Sequence, residues 1–357
     1  MIAPLIFFTG GGSSGHVTPN IALIEEFKTQ NYRMAYVGSS TGIEASLIQP
    51  LAIDYYLIST GKLRRQWDWR NLLMPCQVLR GIWQSVWLCQ RHKPQVIFSK
   101  GGFVALPLVI GAWLKRIPVL THESDLSPGL ANRLMYPFVK KIALSFPQSE
   151  RYFNDKTKLC YTGSPIRASL FTGNAMSAKQ SCGFLNNKPV LLVYGGGLGS
   201  VKINQAVWAA LPTLLLTFNI IHACGKGKTD AAFVQAGYYQ ADYLNEGLAD
   251  AMALADVVVS RAGANSIIEL LALAKPHVLI PLAKGVSRGD QVENAAFYQA
   301  LGLSHVLAES ALTATHLREA IEQVWCARVS YTQKMHAYPL PDAKALLIQL
   351  IKAEVHG

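Results

Sequence analysis

Short β-rich runs, mostly apolar, recur along this chain, separated by longer stretches in which apolar residues return every three or four positions. In the first half the runs are 5–9, 34–38, 96–99, 119–122 and 142–145, and in the second they are 190–194, 220–223, 256–260 and 277–281. Runs that are apolar throughout predict strands buried on both faces. The periodic stretches between them predict helices, so the pattern predicts α/β architecture with two parallel sheets, each covered by helices. No short repeat or low-complexity tract interrupts it, which argues against a solenoid. Residues 163–189, rich in Ser, Asn, Gly and Lys, show little of either period and are expected to link the halves. The tail places Ala343, Leu346, Leu347, Leu350 and Ile351 at helical spacing and predicts a helix that docks on one of the halves.

Length adds that 357 residues, half of them hydrophobic, suffice for two cores. The formal charge of +11 suits a nucleic acid, a phosphorylated ligand or an anionic membrane, without choosing among them. Six cysteines, at 76, 89, 160, 182, 224 and 326, form no CxxC pair and no metal-ligand spacing. They read as reduced, mostly buried thiols, which points to the cytosol. Residues 1–8 lack a basic n-region and run into glycines, so they read as a strand rather than a signal peptide. The longest apolar run, 103–114, is broken by Pro107 and Gly111. It is far shorter than the roughly 20 residues that span a bilayer, so the expectation is a protein that touches a membrane without crossing it.

The first run leads into Gly10-Gly11-Gly12-Ser13-Ser14-Gly15-His16, then a helical stretch with Ile21, Ile24 and Phe27 on one face. Glycines there let backbone N–H groups approach a ligand, and the following helix N-terminus favours negative charge. Positions 10, 12 and 15 satisfy GxGxxG, but the second strand ends in Gly38-Ser39-Ser40-Thr41 where a dinucleotide fold wants an acidic residue. That counts against a nicotinamide or flavin enzyme. The second half opens alike, with 190–194 leading into Gly195-Gly196-Gly197-Leu198-Gly199-Ser200. Lys226-Gly227-Lys228-Thr229 has the form of a P-loop ending, yet His222 stands where the first glycine belongs, and the nucleotide-hydrolase reading fails there.

A third turn, Arg261-Ala262-Gly263-Ala264-Asn265-Ser266, enters a helix containing Glu269. Small residues at a helix start expose N–H donors to a diphosphate, and Glu269 can accept from ribose hydroxyls; an ordinary turn with a surface Glu would carry the same spacing. Asp290 and Gln291 stand at a further helix start, where they can read sugar hydroxyls or, for Asp290, simply cap the helix.

Taken together, residues 11–19 (Gly-Gly-Ser-Ser-Gly-His-Val-Thr-Pro), His122-Glu123-Ser124-Asp125 with Pro128-Gly129-Leu130-Ala131-Asn132, Arg261-Ala262-Gly263-Ala264 with Glu269, and Asp290-Gln291 with Asn294 resemble one family. It is the bacterial UDP-N-acetylglucosamine:N-acetylmuramyl-(pentapeptide) pyrophosphoryl-undecaprenol N-acetylglucosamine transferase. Residues 98–103 and 59–65 also look like its segments, so the resemblance covers nearly the whole chain, in order.

The resemblance implies a GT-B fold, two Rossmann-like, doubly wound domains facing a cleft. The expected division is an acceptor and membrane domain at 1–162, a donor domain at 163–340, and a helix at 341–357 returning to the first domain. The implied reaction is inverting transfer of N-acetylglucosamine from UDP to the C4 hydroxyl of the undecaprenyl-pyrophosphoryl-linked muramyl-pentapeptide, in peptidoglycan synthesis. Donor contacts are implied for Ser13, Ser14, Gly15, Asp125 and Arg167 in the first half. In the second they are implied for the 195–199 loop with Gly197, for the backbone near Asn245, for Gly263, Ala264, Asn265 and Ser266, and for Glu269 and Gln291. Many members carry Ser at Gly197, Asn at Asp125 and Gln at Asp290; at Gly197 one hydroxyl contact to the diphosphate is missing and the backbone amides must carry it, and the reading of the donor sugar at Asp125 and Asp290 stays open.

Inversion requires a base for the acceptor hydroxyl and a way to neutralise the departing UDP. His16, at the mouth of the first glycine turn, is the expected base, since an unperturbed imidazole near pKa 6.5 takes a proton at neutral pH. Glu123 and Asp125 are the rival carboxylates. Helix N-termini with Arg167 and Arg261 would neutralise UDP; no DxD-type pair stands in the sequence, so neither a catalytic metal nor a cofactor is expected. The tract 67–87 sets Trp67, Trp69, Leu72, Leu73, Val78, Leu79, Ile82, Trp83, Val86 and Trp87 among Arg70, Arg80 and Arg91. Basic residues beside exposed aromatics suit an anionic lipid headgroup surface, although a buried helix would use some of the same residues. The expected partners are therefore the UDP-sugar, the lipid-linked acceptor and the anionic cytoplasmic face of the membrane, with no nucleic acid. Another GT-B enzyme acting on a membrane lipid, and a catalytically silent nucleotide-sugar-binding protein, stay open beside this reading.

Overall fold

The computed structural model describes residues 3–40, 42–61, 74–196, 199–244, 247–285 and 287–356. Two compact units divide the chain: Met1–Arg167 together with Pro341–Gly357, and Ala168–Leu340. The first unit runs β1 (Leu5–Thr9), α1 (Thr18–Lys28), β2 (Arg33–Gly38), α2 (Glu44–Ile48), β3 (Asp54–Leu57), α3 (Met74–His92), β4 (Val96–Ser99), α4 (Leu106–Leu114), β5 (Val119–Glu123), α5 (Leu130–Met135), β6 (Lys141–Leu144) and β7 (Leu159–Tyr161). The second runs α6 (Ala175–Ser181), β8 (Val190–Tyr194), α7 (Val201–Thr217), β9 (Asn219–Ala223), β10 (Tyr238–Ala241), α8 (Leu248–Leu254), β11 (Val257–Ser260), α9 (Ala264–Ala272), β12 (His277–Leu279), α10 (Asp290–Ala300), β13 (His305–Val306), α11 (Ala314–Cys326) and α12 (Arg328–Ala337). Beyond it, α13 (Ala343–His356) belongs to the first unit.

Each unit holds one sheet, ordered β3-β2-β1-β4-β5-β6-β7 in the first and β10-β9-β8-β11-β12-β13 in the second. Every strand pairing within them is parallel. The strands are apolar on both faces because both faces are covered. In the first unit Leu5, Phe7, Val37 and Ile97 meet Leu88 of α3 and Leu108, Val109 and Ala112 of α4. On the other face Ile6, Phe8, Phe98 and Leu120 meet Leu23, Ile24 and Phe27 of α1 and Leu347, Ile348 and Ile351 of α13. Burying each such side chain contributes about 1.5–3 kcal/mol. In the second unit Leu191, Val193, Ile220 and Val257 pack on α7 through Ile203, Val207 and Leu211, and on α11 through Leu317, Ile321 and Val324.

The order places β1 between β2 and β4, and β8 between β9 and β11, so successive connections leave in opposite directions at those strands. The crevice outside the carboxyl ends at such a switch point is where open α/β sheets bind ligands. Both glycine turns lie there.

All four strands without a counterpart in the hydrophobic pattern, β3, β7, β10 and β13, are sheet edges. Edge strands bury one side only, and these are two to four residues long and mostly half-exposed. The stretch expected to be a linker is more ordered than its composition suggests. Residues 163–167 belong to the first unit, and Asn174 caps α6 by accepting from the Met176 and Ser177 N–H groups. A seven-residue helix is too short to show a clear period. Among the described residues, no helix is long and apolar enough to cross a membrane.

Candidate active site

In the first unit three segments converge at the carboxyl end of the sheet: 10–16 after β1, 99–103 after β4, and 122–125 at the end of β5. Gly102, at φ +83°, lies so close to the first turn that a Cβ would overlap the Gly11 carbonyl oxygen and sit 3.2 Å from the His16 ring. Tyr36 donates its O–H to the Gly10 carbonyl at 2.7 Å, fixing the turn from below. His16, half-buried in a single helical turn Ser14–His16, has Nδ1 3.0 Å from the Lys100 carbonyl oxygen. A carbonyl only accepts, so the neutral imidazole carries its proton on Nδ1 and its lone pair on Nε2.

Lys100 is itself buried, with its ammonium 2.7 Å from His122 Nδ1 and bonded also to the Ser124 hydroxyl. His122 Nε2 lies 2.7 Å from the Gly163 carbonyl oxygen, so that nitrogen donates and Nδ1 accepts. Burial first, and then the charge of Lys100, hold His122 well below the usual imidazole range. Burial likewise draws Lys100 down to about 8, against the carboxylates of Glu123 and Asp125.

Glu123 is buried, and its oxygens accept from the Asp125 N–H at 3.1 Å, Asn132 Nδ2 at 2.6 Å and the Tyr136 hydroxyl at 3.1 Å. Asn132 in turn accepts from the Gly102 N–H at 3.1 Å. The Glu123 carboxylate thus holds the 122–125 and 101–103 segments together, a role that conflicts with receiving a substrate proton. Ser13 is exposed, and Gly15 and Asp125 are half-buried, in the same region. Arg167 is half-buried and ends the first stretch of that unit.

In the second unit Gly199, at φ +66°, packs so tightly that a Cβ would overlap the Cys224 carbonyl oxygen. Ser200 caps α7, and its hydroxyl accepts from Arg261 at 2.7 Å. The Arg261 guanidinium also donates to the Ile280 carbonyl at 3.2 Å and to Glu309 at 2.5 Å. Lys202 stands 3.5 Å from the other Glu309 oxygen. Burial opposes ionisation of Glu309, but Arg261 and then Lys202 outweigh it and hold the carboxyl below its usual range. Arg261 therefore clamps the glycine loop through Ser200 and Glu309.

Gly263 caps α9 without a side-chain bond, and a Cβ on it would meet nothing nearer than the Ser266 hydroxyl at 3.9 Å. Room and N–H donors therefore coincide at that helix start. Ala264 is buried there, while Asn265, Ser266 and Glu269 are half-buried. The cap of α10 is Gly289, at φ +91°, so Asp290 is the first helical residue rather than the cap; Arg288 Nε lies 3.5 Å from its carboxylate. Gln291 accepts from the Leu282 N–H at 2.9 Å, which leaves its NH₂ as the group it can offer a ligand. His222 is buried in β9 between Tyr238 and Asn204. Gly197, Asn245 and the 62–73 part of the tryptophan tract lie outside the described residues, as does any account of the Ser14 side chain. Among the described residues, no cluster of His, Cys, Asp or Glu could hold a metal ion.

The glycosyltransferase family 28 N-terminal domain matches residues 6–144, and the family's C-terminal domain matches 190–347. A UDP-N-acetylglucosamine–N-acetylmuramyl-(pentapeptide) pyrophosphoryl-undecaprenol N-acetylglucosamine transferase of Legionella pneumophila (strain Paris) is 50% identical over 356 residues, 99% of this chain and 98% of that protein. The enzyme of the same name from Geobacillus thermodenitrificans (strain NG80-2) is 47% identical over 349 residues, 97% of this chain and 98% of its own. The chain belongs to this transferase family. A solved structure of Acinetobacter baumannii MurG superposes with a TM-score of 0.75 at 22% identity, covering 98% of this chain and 99% of that one. Two Rossmann-like parallel-sheet units make the fold of this family member GT-B.

Three side chains that organise its site have no reading in the sequence pattern. Glu309 lies 48 residues beyond Arg261 in sequence, and only the fold brings the two together. Ser200 ends the second glycine turn, and nothing local marks its bond to Arg261. The signal that marks Lys100, between a strand and two glycines, is a lysine standing directly after a buried strand.

Proposed function

We infer that the protein transfers N-acetylglucosamine from UDP-N-acetylglucosamine to the C4 hydroxyl of the undecaprenyl-pyrophosphoryl-linked N-acetylmuramyl-pentapeptide, with inversion, in peptidoglycan synthesis. The observation that carries this reading is the 47–50% identity over almost the whole length to transferases bearing that name. In the proposed reaction His16 Nε2 takes the acceptor hydroxyl's proton as its oxygen attacks the anomeric carbon. The bond from that carbon to the diphosphate breaks, and UDP leaves with the electron pair. N–H groups of the 195–199 loop and the α9 start stabilise the developing charge. Ser13, Ser14, Gly15, Asp125, Arg167, Gly197, Asn245 and the 263–266 turn serve as donor contacts, with Asp290 and Gln291 reading the sugar and Glu269 the ribose. The test is UDP release from UDP-N-acetylglucosamine that requires the lipid-linked acceptor, with the product's mass one N-acetylglucosamine greater. Release without acceptor, or a different lipid product, would overturn the reading.

Glu269→Ala is expected to weaken UDP-sugar binding by roughly 10–150-fold, the equivalent of about 1.5–3 kcal/mol for hydrogen bonds to a carboxylate. Calorimetric titration that finds unchanged affinity would remove Glu269 from the site.

The membrane surface is proposed on α3. Its buried side carries Gly81, Ser85, Leu88 and Cys89, while Leu79, Trp83 and Trp87 stand exposed at four-residue spacing. Arg91 lies over the Trp87 ring at 5.1 Å. Trp113 and Leu114 at the end of the neighbouring α4 are exposed as well. Exposed indoles beside arginines suit the headgroup region of the cytoplasmic leaflet. Trp83→Glu combined with Trp87→Glu is expected to abolish most binding to anionic vesicles while sparing turnover of a soluble acceptor analogue. Parallel losses in sedimentation and turnover would mean core damage instead.

A further inference from the structure

We propose that Lys100 is the positioning residue of the proton-accepting site, joining the turn that carries His16 to the 122–125 segment through its backbone and its ammonium together. Each of its polar groups ties a different piece of chain. The N–H donates to the Thr9 carbonyl at the end of β1 at 2.8 Å. Its carbonyl accepts from His16 Nδ1 at 3.0 Å and so sets the imidazole tautomer. The ammonium holds His122 and Ser124 on the far side. Only 1% of the residue is exposed, so it does not meet substrate and is not itself the acid or the base.

Burying an ammonium costs free energy that an apolar side chain of the same length would not, and lysine is almost never buried unless paired. The groups facing Lys100 account for its charge: His122 and Glu123 end β5, Ser124 and Asp125 follow it, and His16 approaches from the β1 side. Glu123 is the anchor that holds Asn132 and, through it, Gly102 against the His16 ring. A cation beneath this carboxylate pair keeps both segments in place. Removing it takes a positive charge from beside the buried Glu123 carboxylate and loosens the hold on the segment that bears Asp125.

Since Lys100 is held near 8, its charge is lost as pH rises through that value, and the rate is expected to fall with it. The unfolded chain keeps this proton to about pH 10.4, so across that window the unfolded state binds more protons and this group's contribution to stability rises with pH. Activity falling while stability rises separates loss of positioning from unfolding.

The inference rests on the transferase reading, and two measurements keep their failures apart. The first is kcat and both KM values from pH 6 to 9.5 for wild type, Lys100→Met and Lys100→Arg. Wild type is expected to show an alkaline limb near pH 8. Lys100→Met should lower kcat by about 10–100-fold, the cost of misplacing a reacting group by about an ångström, with donor KM nearly unchanged and no alkaline limb. Lys100→Arg, permanently charged, should keep more of kcat and lose the limb. The second is the ¹⁵N NMR signature of the His16 ring, which needs no turnover: wild type should hold the Nδ1–H tautomer, and Lys100→Met, which keeps the carbonyl but loses the ammonium that holds it in place, should relax that preference. A Lys100→Met protein with wild-type kcat, or the alkaline limb persisting in both variants, or an unchanged His16 signature, would overturn the proposal. If Lys100→Met does not fold, Lys100→Arg decides it by the limb alone. Wild-type protein that makes no product from the lipid-linked acceptor overturns the transferase reading, and the NMR comparison then decides the positioning role.

Discussion

The His16→Ala protein is expected to turn over about 10²–10⁴-fold more slowly than wild type, with its affinity for UDP-N-acetylglucosamine little changed. That span is what a positioned general base contributes. The Lys100 carbonyl fixes the Nδ1 proton and thereby presents the Nε2 lone pair, so alanine removes a group whose orientation is already prepared. Binding and chemistry separate in the kinetics: loss of an interaction made only in the transition state lowers kcat and kcat/KM equally. The acidic limb of the pH–rate profile should disappear with the imidazole, because protonation of His16 is what silences it as pH falls. A donor titration and a pH–rate series on this one variant suffice. Weakened donor binding with the acidic limb intact would make His16 a diphosphate contact, and Asp125 would inherit the candidacy ahead of Glu123, whose oxygens are already engaged by three donors.

Arg261→Met is expected to destabilise the second unit by about 3–5 kcal/mol, the usual cost of stranding one partner of a buried ion pair. At about 2–4 °C per kcal/mol for a unit of this size, its unfolding midpoint should drop by about 6–20 °C. Side-chain exposure of 11% for Arg261 and 3% for Glu309 is what makes the pair costly to break. Glu309 would keep only Lys202, whose side chain is 65% exposed. The double change Arg261→Met with Glu309→Gln removes both charges and should recover more than half of the loss, which scanning calorimetry on the four proteins of the cycle can read. Equal losses in the single and double variants would mean that the guanidinium acts through Ser200 and the Ile280 carbonyl alone.

The sheet interiors were legible because burial on both faces writes itself as unbroken apolar runs: β1, β4 and β8 match those runs residue for residue. The edges were not, since β3 and β7 mix Asp54, Tyr55, Tyr56 and Tyr161 into short half-exposed segments that carry no period. For the site, the two glycine turns were visible through their composition; the crowding of Gly102, from the segment after β4, against the first turn and of Gly199 within the second explains why no other residue fits at either position. Arg261 was visible, but its buried partner was not. Its sequence neighbours suggested a diphosphate, whereas the buried carboxylate that claims it arrives from a remote turn at Glu309. Local pattern reports what a residue can bond, and only the fold decides which bond it makes.

The last helix of the chain closes the first unit's core. Leu347, Ile348 and Ile351 of α13 cover the face formed by Ile6, Phe8, Phe98 and Leu120, and Lys344 and Glu354 tie the helix to Glu26 and Lys140 at 2.9 and 2.5 Å. On the ribosome, residues 168–340 come between, which at about 5–20 residues per second takes roughly 10–35 s. Throughout that interval the nascent sheet is complete but the part of its greasy flank that α1 leaves to α13 stays open, while the contiguous second unit can finish alone. The unit that emerges first is therefore the last to mature, and a stalled or truncated chain lacking α13 would present that flank to chaperones and proteases.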